Sequence, residues 1–176
     1  MRSTSIALAI LMSVSTAYAD EDKAHEKAES SEAAKNAPAL AAALKEAKIT
    51  LAAALMASEK QGTPISAKFE LEDGKLQLSV YTMKGDKFFE LVVDHKTGKV
   101  TKTEPITSGD DLAAAKKQSE AMAKTKRSLR DVVTKVEKAN SGYKAVSVKA
   151  EIEGSAARAD VGLLKGSDWK QVEEKL

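Results

Sequence analysis

The sequence predicts an α+β protein: two similar units, each a helix packed on a small antiparallel β-sheet, joined by a helical connector. Three observations carry this expectation. The spacing of apolar residues changes from helical to alternating at Gly62. Short turn signals, Asp73-Gly74 and then Lys84-Gly85-Asp86, punctuate the alternating run. The same order of elements returns at an offset of 81 residues.

The chain of 176 residues opens on what reads as an export signal, residues 1–19. Arg2 is the basic start, and Ile6 to Met12 form an apolar core well short of the ~20 residues that cross a bilayer. Ala17 and Ala19 put small residues at −3 and −1 before Asp20, so cleavage is expected after Ala19 and delivery to the periplasm follows. Residues 20–38 alternate Glu and Lys with Ala and lack an apolar stripe, as a solvated tether or fraying helix would.

The first unit spans residues 39–106. Leu40, Leu44, Ala47, Leu51 and Leu55 fall on one helical face after Pro38, and Thr50 offers a competing N-cap for a shorter helix. Gly62 and Pro64 end it. Ile65, Ala67, Phe69 and Leu71 then alternate with polar residues, as do Leu76, Leu78 and Val80. Phe89, Leu91 and Val93 continue the buried face. The stretch VVDHKTGKV, Val92 to Val100, poses a choice between an active-site corner and a turn. Gly98 takes positive φ without steric cost, and Asp94 can accept backbone N–H groups two residues on. With no nucleophile or metal set beside it, Asp94, Thr97 and Gly98 are expected to define a hairpin into a fourth strand.

The connector, residues 107–124, starts at Ser108-Gly109-Asp110-Asp111 and is Ala-rich and basic; it could run on into the next helix. The second unit spans residues 125–176. Ser128 with Asp131 is a capping pair, and Leu129, Val132, Val133 and Val136 are its apolar face. Ser66, Lys68, Glu70 and Glu72 recur as Ser147, Lys149, Glu151 and Glu153; Lys84-Gly85 recurs as Lys165-Gly166, and Phe88 as Trp169. The turn at Gly154-Ser155 lacks the Asp-Gly signature, and no counterpart of Asp94, Thr97-Gly98 or the fourth strand follows. Trp169, Val172 and Leu176 also fit a helical face; the repeat favours a strand. Units of this size bury a small fraction of their surface, so the two are expected to share an interface or be braced by the connector.

This element order, with Phe89-Glu90-Leu91-Val92-Val93-Asp94 followed by Thr97-Gly98-Lys99-Val100, resembles the PepSY domain over Lys48 to Ile106, and Thr125 to Leu176 resembles a diverged copy. The resemblance implies a secreted or membrane-linked module acting through protein contacts, with protease restraint proposed for the family. It carries no catalytic residues onto this chain.

Composition narrows the classes further. There is no Cys, so disulfides and thiolate metal sites are excluded. The formal charge of +2, without a basic stripe, gives no nucleic-acid footprint. His25 and His95 are the two histidines, too few and too far apart for a catalytic metal set, and no Ser stands in a nucleophile elbow. A non-catalytic protein is therefore expected, without cofactor or metal. Its expected partner is another envelope protein, a protease among the candidates, met through a sheet face or an open sheet edge. The alternative is a small ligand or hard cation held by Glu70 and Glu72, echoed by Glu151 and Glu153, against which stands a solvated strand face with Lys68 and Lys149 alongside. Tyr143 and Trp169 are expected in the core.

Overall fold

A computed structural model describes residues 17–176, with side chains from Ser30 onward; most of the expected export signal, and the side chain of His25, lie outside the described residues. The alternating stretches form β1 (Thr63–Glu72), β2 (Lys75–Lys84), β3 (Lys87–Val93), β4 (Val100–Ile106), β5 (Lys144–Glu153), β6 (Ala156–Lys165) and β7 (Asp168–Lys175). The last of these is a strand, as the repeat favoured. All seven pair antiparallel in one sheet, in the order β4-β3-β2-β1-β5-β6-β7.

The repeat extends to backbone register. Ala67 faces Val80 and Val148 faces Val161; Tyr81 faces Glu90 and Gly162 faces Gln171. Each first strand carries a bulge at the same place, between Pro64 and Ser66 and between Ala145 and Ser147. Four of the five hairpin loops hold two residues each; the loop from β3 to β4 is longer, residues 94–99. Asp73 and Gly74 both take positive φ, 49° and 75°, as a type I′ turn requires. In the second copy only Gly154 does, at 62°, so a first-position glycine replaces the Asp-Gly pair.

The expectation of two separate small sheets is corrected by the pairing of β1 with β5: Ser66 with Lys149, Ala67 with Val148, Lys68 with Ser147. Ser147 is the repeat of Ser66 and Lys149 that of Lys68, so the pairing is its own image under a local two-fold through Ala67 and Val148. The physical reason is edge satisfaction. Each first strand leaves one edge unpaired within its own unit, and joining the two edges satisfies those N–H and C=O groups while merging two small apolar faces into one.

Four α-helices cover the sheet: α1 (Ala17–Ala43), α2 (Leu51–Ser58), α3 (Gly109–Ala123) and α4 (Leu129–Ala139). Residues expected as a tether lie in α1, and Pro38, expected at a helix start, lies inside it. Ala37 and Leu40, buried on either side of Pro38, hold that part of the helix on the sheet despite the missing N–H. The chain then leaves the helix at 44–50, where Lys48 and Ile49 N–H donate to the His95 carbonyl at 2.8 and 3.3 Å. Thr50 caps α2, its Oγ1 accepting from Ala53 N–H at 3.2 Å; Ser128 caps α4, accepting from Asp131 N–H at 3.1 Å. The connector helix α3 stops before residue 124 and is not continuous with α4. No helix among the described residues is long and apolar enough to cross a membrane.

Helices α2 and α4 pack together on the apolar face. Leu51 and Leu55 of α2, and Leu129, Val132, Val133 and Val136 of α4, are buried over Val80, Leu91, Val148 and Val161. Helices α1 and α3 lie across the opposite face, which carries Ser66, Lys68, Tyr81, Ser147 and Lys149. Because the core runs unbroken across β1 and β5, the protein should melt in one cooperative calorimetric transition with equal van't Hoff and calorimetric enthalpies. Two resolved transitions would contradict the shared sheet.

Candidate functional site

The Asp94 turn is built from local hydrogen bonds. Asp94 Oδ1 accepts from Lys96 N–H at 2.9 Å and from Thr97 N–H at 2.7 Å, and the Asp94 carbonyl accepts from Gly98 N–H at 2.8 Å. Asp94 N–H donates to the Lys99 carbonyl at 2.8 Å, and Gly98 takes φ 73°. The Thr97 and Lys96 N–H groups, with the Thr97 hydroxyl, hold the Asp94 carboxyl below the ordinary carboxylate range. With the His95 carbonyl receiving the segment before α2, these residues join β3 to β4 and seat a helix start.

Of the glutamates of the first strands, Glu70, Glu151 and Glu153 pair with neighbours, and Glu72 is exposed. Glu70 pairs with Lys68 at 2.6 Å and accepts from Ser79 Oγ at 3.0 Å. Glu151 pairs with Lys149 at 2.6 Å and with Arg158 at 3.2 Å. Among the described residues no group of three or more His, Asp or Glu side chains is placed to hold a metal ion. Tyr143 hydrogen-bonds Asp168, and the Lys170 ammonium lies 4.3 Å from the centre of its ring.

The polar face differs between the copies, and sequence reasoning missed how. Gln77 and Ser79 of the first copy become Arg158 and Asp160 in the second. Arg158, with its side chain 11% exposed, reaches Glu151, Glu153 at 3.1 Å, Glu173 at 3.0 Å and Asp160 at 3.3 Å. One guanidinium thus ties β5, β6 and β7 together. Burial alone would raise the Glu151 carboxyl, but hydrogen bonds and charge from Lys149, with Asp160 and Arg158, hold it below the ordinary range. Tyr81 of the first copy corresponds to Gly162, over which the Trp169 indole and the Ser147 hydroxyl sit; a Cβ at 162 would collide with both. The signal for this was present: Arg158 and Asp160 alternate with Ala157, Ala159 and Val161, marking a second face that had to be covered.

Between that face and helices α1 and α3 lies a cleft of about 660 Å³. Tyr81 and Trp169 line it, with Ser66 and Ser147 at the local two-fold and Asn36 and Gln118 from the helices. Burial first, then the Glu90, Glu70 and Asp111 carboxylates, push the Tyr81 phenol up. The Trp169 Nε1–H is buried and finds no acceptor among the described residues.

The second surface is an edge. β4 and β7 are the outer strands of the sheet. In the two-residue β6–β7 hairpin, Lys165 faces Asp168 across the loop, so alternation turns the backbone N–H and C=O of Trp169 and Glu173 away from β6. Leu176 N–H, bonded inward to the Ala157 carbonyl at 3.1 Å, and the Lys175 carbonyl, which accepts from Arg127, agree with this alternation. In the first copy the corresponding outward groups, on Phe88 and Val92, face β4. β4 itself is exposed and carries Pro105. On β7, Glu174 is engaged by Lys135 at 2.6 Å and Arg127 at 3.2 Å, which hold its carboxyl below the ordinary range.

Comparison with protein-family models, curated proteins and solved structures finds no match to this chain in any of the three.

Replacing Arg158 by Met should destabilise the fold by about 3–5 kcal/mol, because Asp160, 3% exposed, would lose the guanidinium that offsets its burial. Denaturant unfolding checks this; a loss under about 1 kcal/mol would show that the cluster is solvated in solution.

Proposed function

We propose that this chain is an exported, non-catalytic binding module of two PepSY-like copies that works in the periplasm once its leader is removed after Ala19. On this reading it holds an extended segment of another envelope protein, with a protease as the candidate that the family resemblance suggests. The observation that carries the reading is the outer side of β7. The first copy lays a fourth strand on the corresponding side of β3, whereas among the described residues no strand lies beyond β7. An incoming extended segment can bond to the outward groups of Trp169 and Glu173 as β4 bonds to β3. The other outer strand is a poorer template, because Pro105 interrupts its donors. Nothing in this use of the chain needs a nucleophile, a metal or a cofactor.

Glu173→Pro tests it. The Glu173 N–H points away from β6, so proline there removes a donor to the partner and no backbone bond of the sheet. It also removes the carboxylate that meets Arg158 at 3.0 Å, a loss that Glu173→Ala reproduces with the donor kept. Glu173→Ala should therefore capture as the wild type does. Envelope extract passed over the wild-type protein should yield a specific partner that the proline variant fails to retain, with melting temperatures within a few degrees of one another. Equal capture by the wild type and the proline variant, or no specific partner for either, would sink the edge reading.

A second reading, a small polar ligand, is favoured by the cleft and by the Trp169 N–H buried without an acceptor among the described residues. A thermal-shift screen of amino acids and simple sugars should give stabilisation that Trp169→Phe, which lacks the N–H, reduces. No shift from any of them would end this reading.

A further inference from the structure

The β7 edge states what it will accept, because its neighbours in an added strand are fixed by register. Side chains of Lys170, Val172 and Glu174 stand on the face covered by α4: Lys170 Nζ donates to Asn140 Oδ1 at 2.7 Å, and Glu174 meets Lys135. Side chains of Trp169, Gln171 and Glu173 stand on the other face. Their backbone groups are the ones turned outward, so in an added antiparallel strand the narrow hydrogen-bonded pairs fall at odd positions and the wide pairs at even positions. A suitable strand would oppose Lys170 with an acid, Val172 with an apolar β-branched residue, Glu174 with a base and Trp169 with a flat or cationic side chain.

β7 meets this specification itself. Placed antiparallel to a second copy with Val172 on the axis, it sets Val172 against Val172 of the second copy. Lys170 then faces Glu174 and Trp169 faces Lys175, each twice, once on either side of the axis. Gln171 faces Glu173. The register also satisfies the hydrogen-bond alternation, since odd positions meet odd and even meet even. Moving the axis to Lys170 would set two lysines against each other, and moving it to Gln171 would oppose Asp168 with Glu174; like charges directly opposed are destabilising.

We propose that two copies of this chain associate through β7 in this register, forming one continuous antiparallel sheet across a two-fold axis. The arrangement repeats at the edge what β1 and β5 do inside the molecule, where a strand and its own repeat pair about a local two-fold. It rests on the same open edge as the proposed function. The self-pair and an envelope partner then compete for that edge, so dimerisation holds the binding surface in reserve. Along one face of the seam the charges alternate in sign, and the Lys175 carbonyl is shared with Arg127. An edge contact of this kind buries little surface, so association is weak and concentration-dependent.

The absence of cysteine makes the register directly testable in the full chain. Two residues opposed across a wide antiparallel pair lie within disulfide reach, whereas Lys170 and its copy are about 14 Å apart along the strands. Under mild oxidation at high protein concentration, Val172→Cys should give a covalent dimer about tenfold faster than Lys170→Cys. Sedimentation of the wild-type protein should show a monomer–dimer equilibrium that Glu173→Pro shifts to monomer. A monomer at every concentration overturns the proposal, as does equal cross-linking of the two cysteine variants or a dimer that Glu173→Pro leaves intact. Because these readouts use the purified protein alone, they fail or succeed independently of whether an envelope partner is captured.

Discussion

Three residue pairs hold the two halves of this protein in one sheet. Ser66 with Lys149, Ala67 with Val148 and Lys68 with Ser147 make a short seam, yet the rest of the architecture follows from it. Without that seam each half would be a helix on three or four strands with an open first strand, too small to bury most of its surface. With it, α2 and α4 lie side by side over a common apolar floor, and the chain must pass twice between the faces of the sheet. α1 and α3 therefore come to rest on the polar side. The cleft is a by-product of this geometry: two helices rich in alanine bridge a face whose centre carries hydroxyls and lysines, and they cannot close on it as apolar helices would.

The copies diverged on both faces, but the apolar side kept its frame. The side under α2 and α4 keeps its register, its bulges and a branched aliphatic centre at Val80 and Leu91, Val161 and Val172, because a slip of one residue would turn every apolar side chain to the wrong side. Phe89 and Val93 give way there to Lys170 and Glu174. The other side was free to change as long as it stayed covered. There Tyr81 gives way to Gly162 and Phe88 to the larger Trp169, so that the indole occupies space vacated by the missing side chain. A neutral pair, Gln77 and Ser79, became Arg158 and Asp160, which bind three strands through one buried guanidinium. The second copy thus holds β7 partly by ionic contacts.

Most of the apolar face was legible in the sequence, because alternation with period two and caps such as Thr50 and Ser128 act over a few residues. The strand character of β7 needed the repeat, since Trp169, Val172 and Leu176 alone also fit a helix. The union of the sheets was not legible. Strand edges carry no side-chain signature of their own, and the Ser-x-Lys sequence that makes β1 and β5 self-complementary reads equally well as a solvated face. The cover of the polar face was hidden for a related reason. α1 lacks an apolar stripe over residues 20–38, and its seat depends on Ala37 and on Leu40, which its spacing grouped on one helical face with Leu51 and Leu55 although the chain breaks between α1 and α2. Asp94 was conspicuous because an acid beside a histidine suggests chemistry, whereas its oxygen is occupied by two backbone N–H groups.

The two outer strands show how differently an edge can be managed. β4 is exposed from Thr101 to Pro105, carries Lys102 and Glu104 in a mutual ion pair and is interrupted by Pro105; each feature discourages a neighbour. β7 has no proline, and its residues from Trp169 to Val172 are partly shielded by the helices on either face. An edge held between helices presents its backbone in a fixed frame, so an added strand would lose less freedom in docking there than against an unsupported one. In the second copy, where no strand lies beyond β7 among the described residues, the large indole, the arginine cluster and the α4 contacts surround β7. They stabilise β7 as an outer strand without covering its outward backbone groups, which is the combination a docking edge requires.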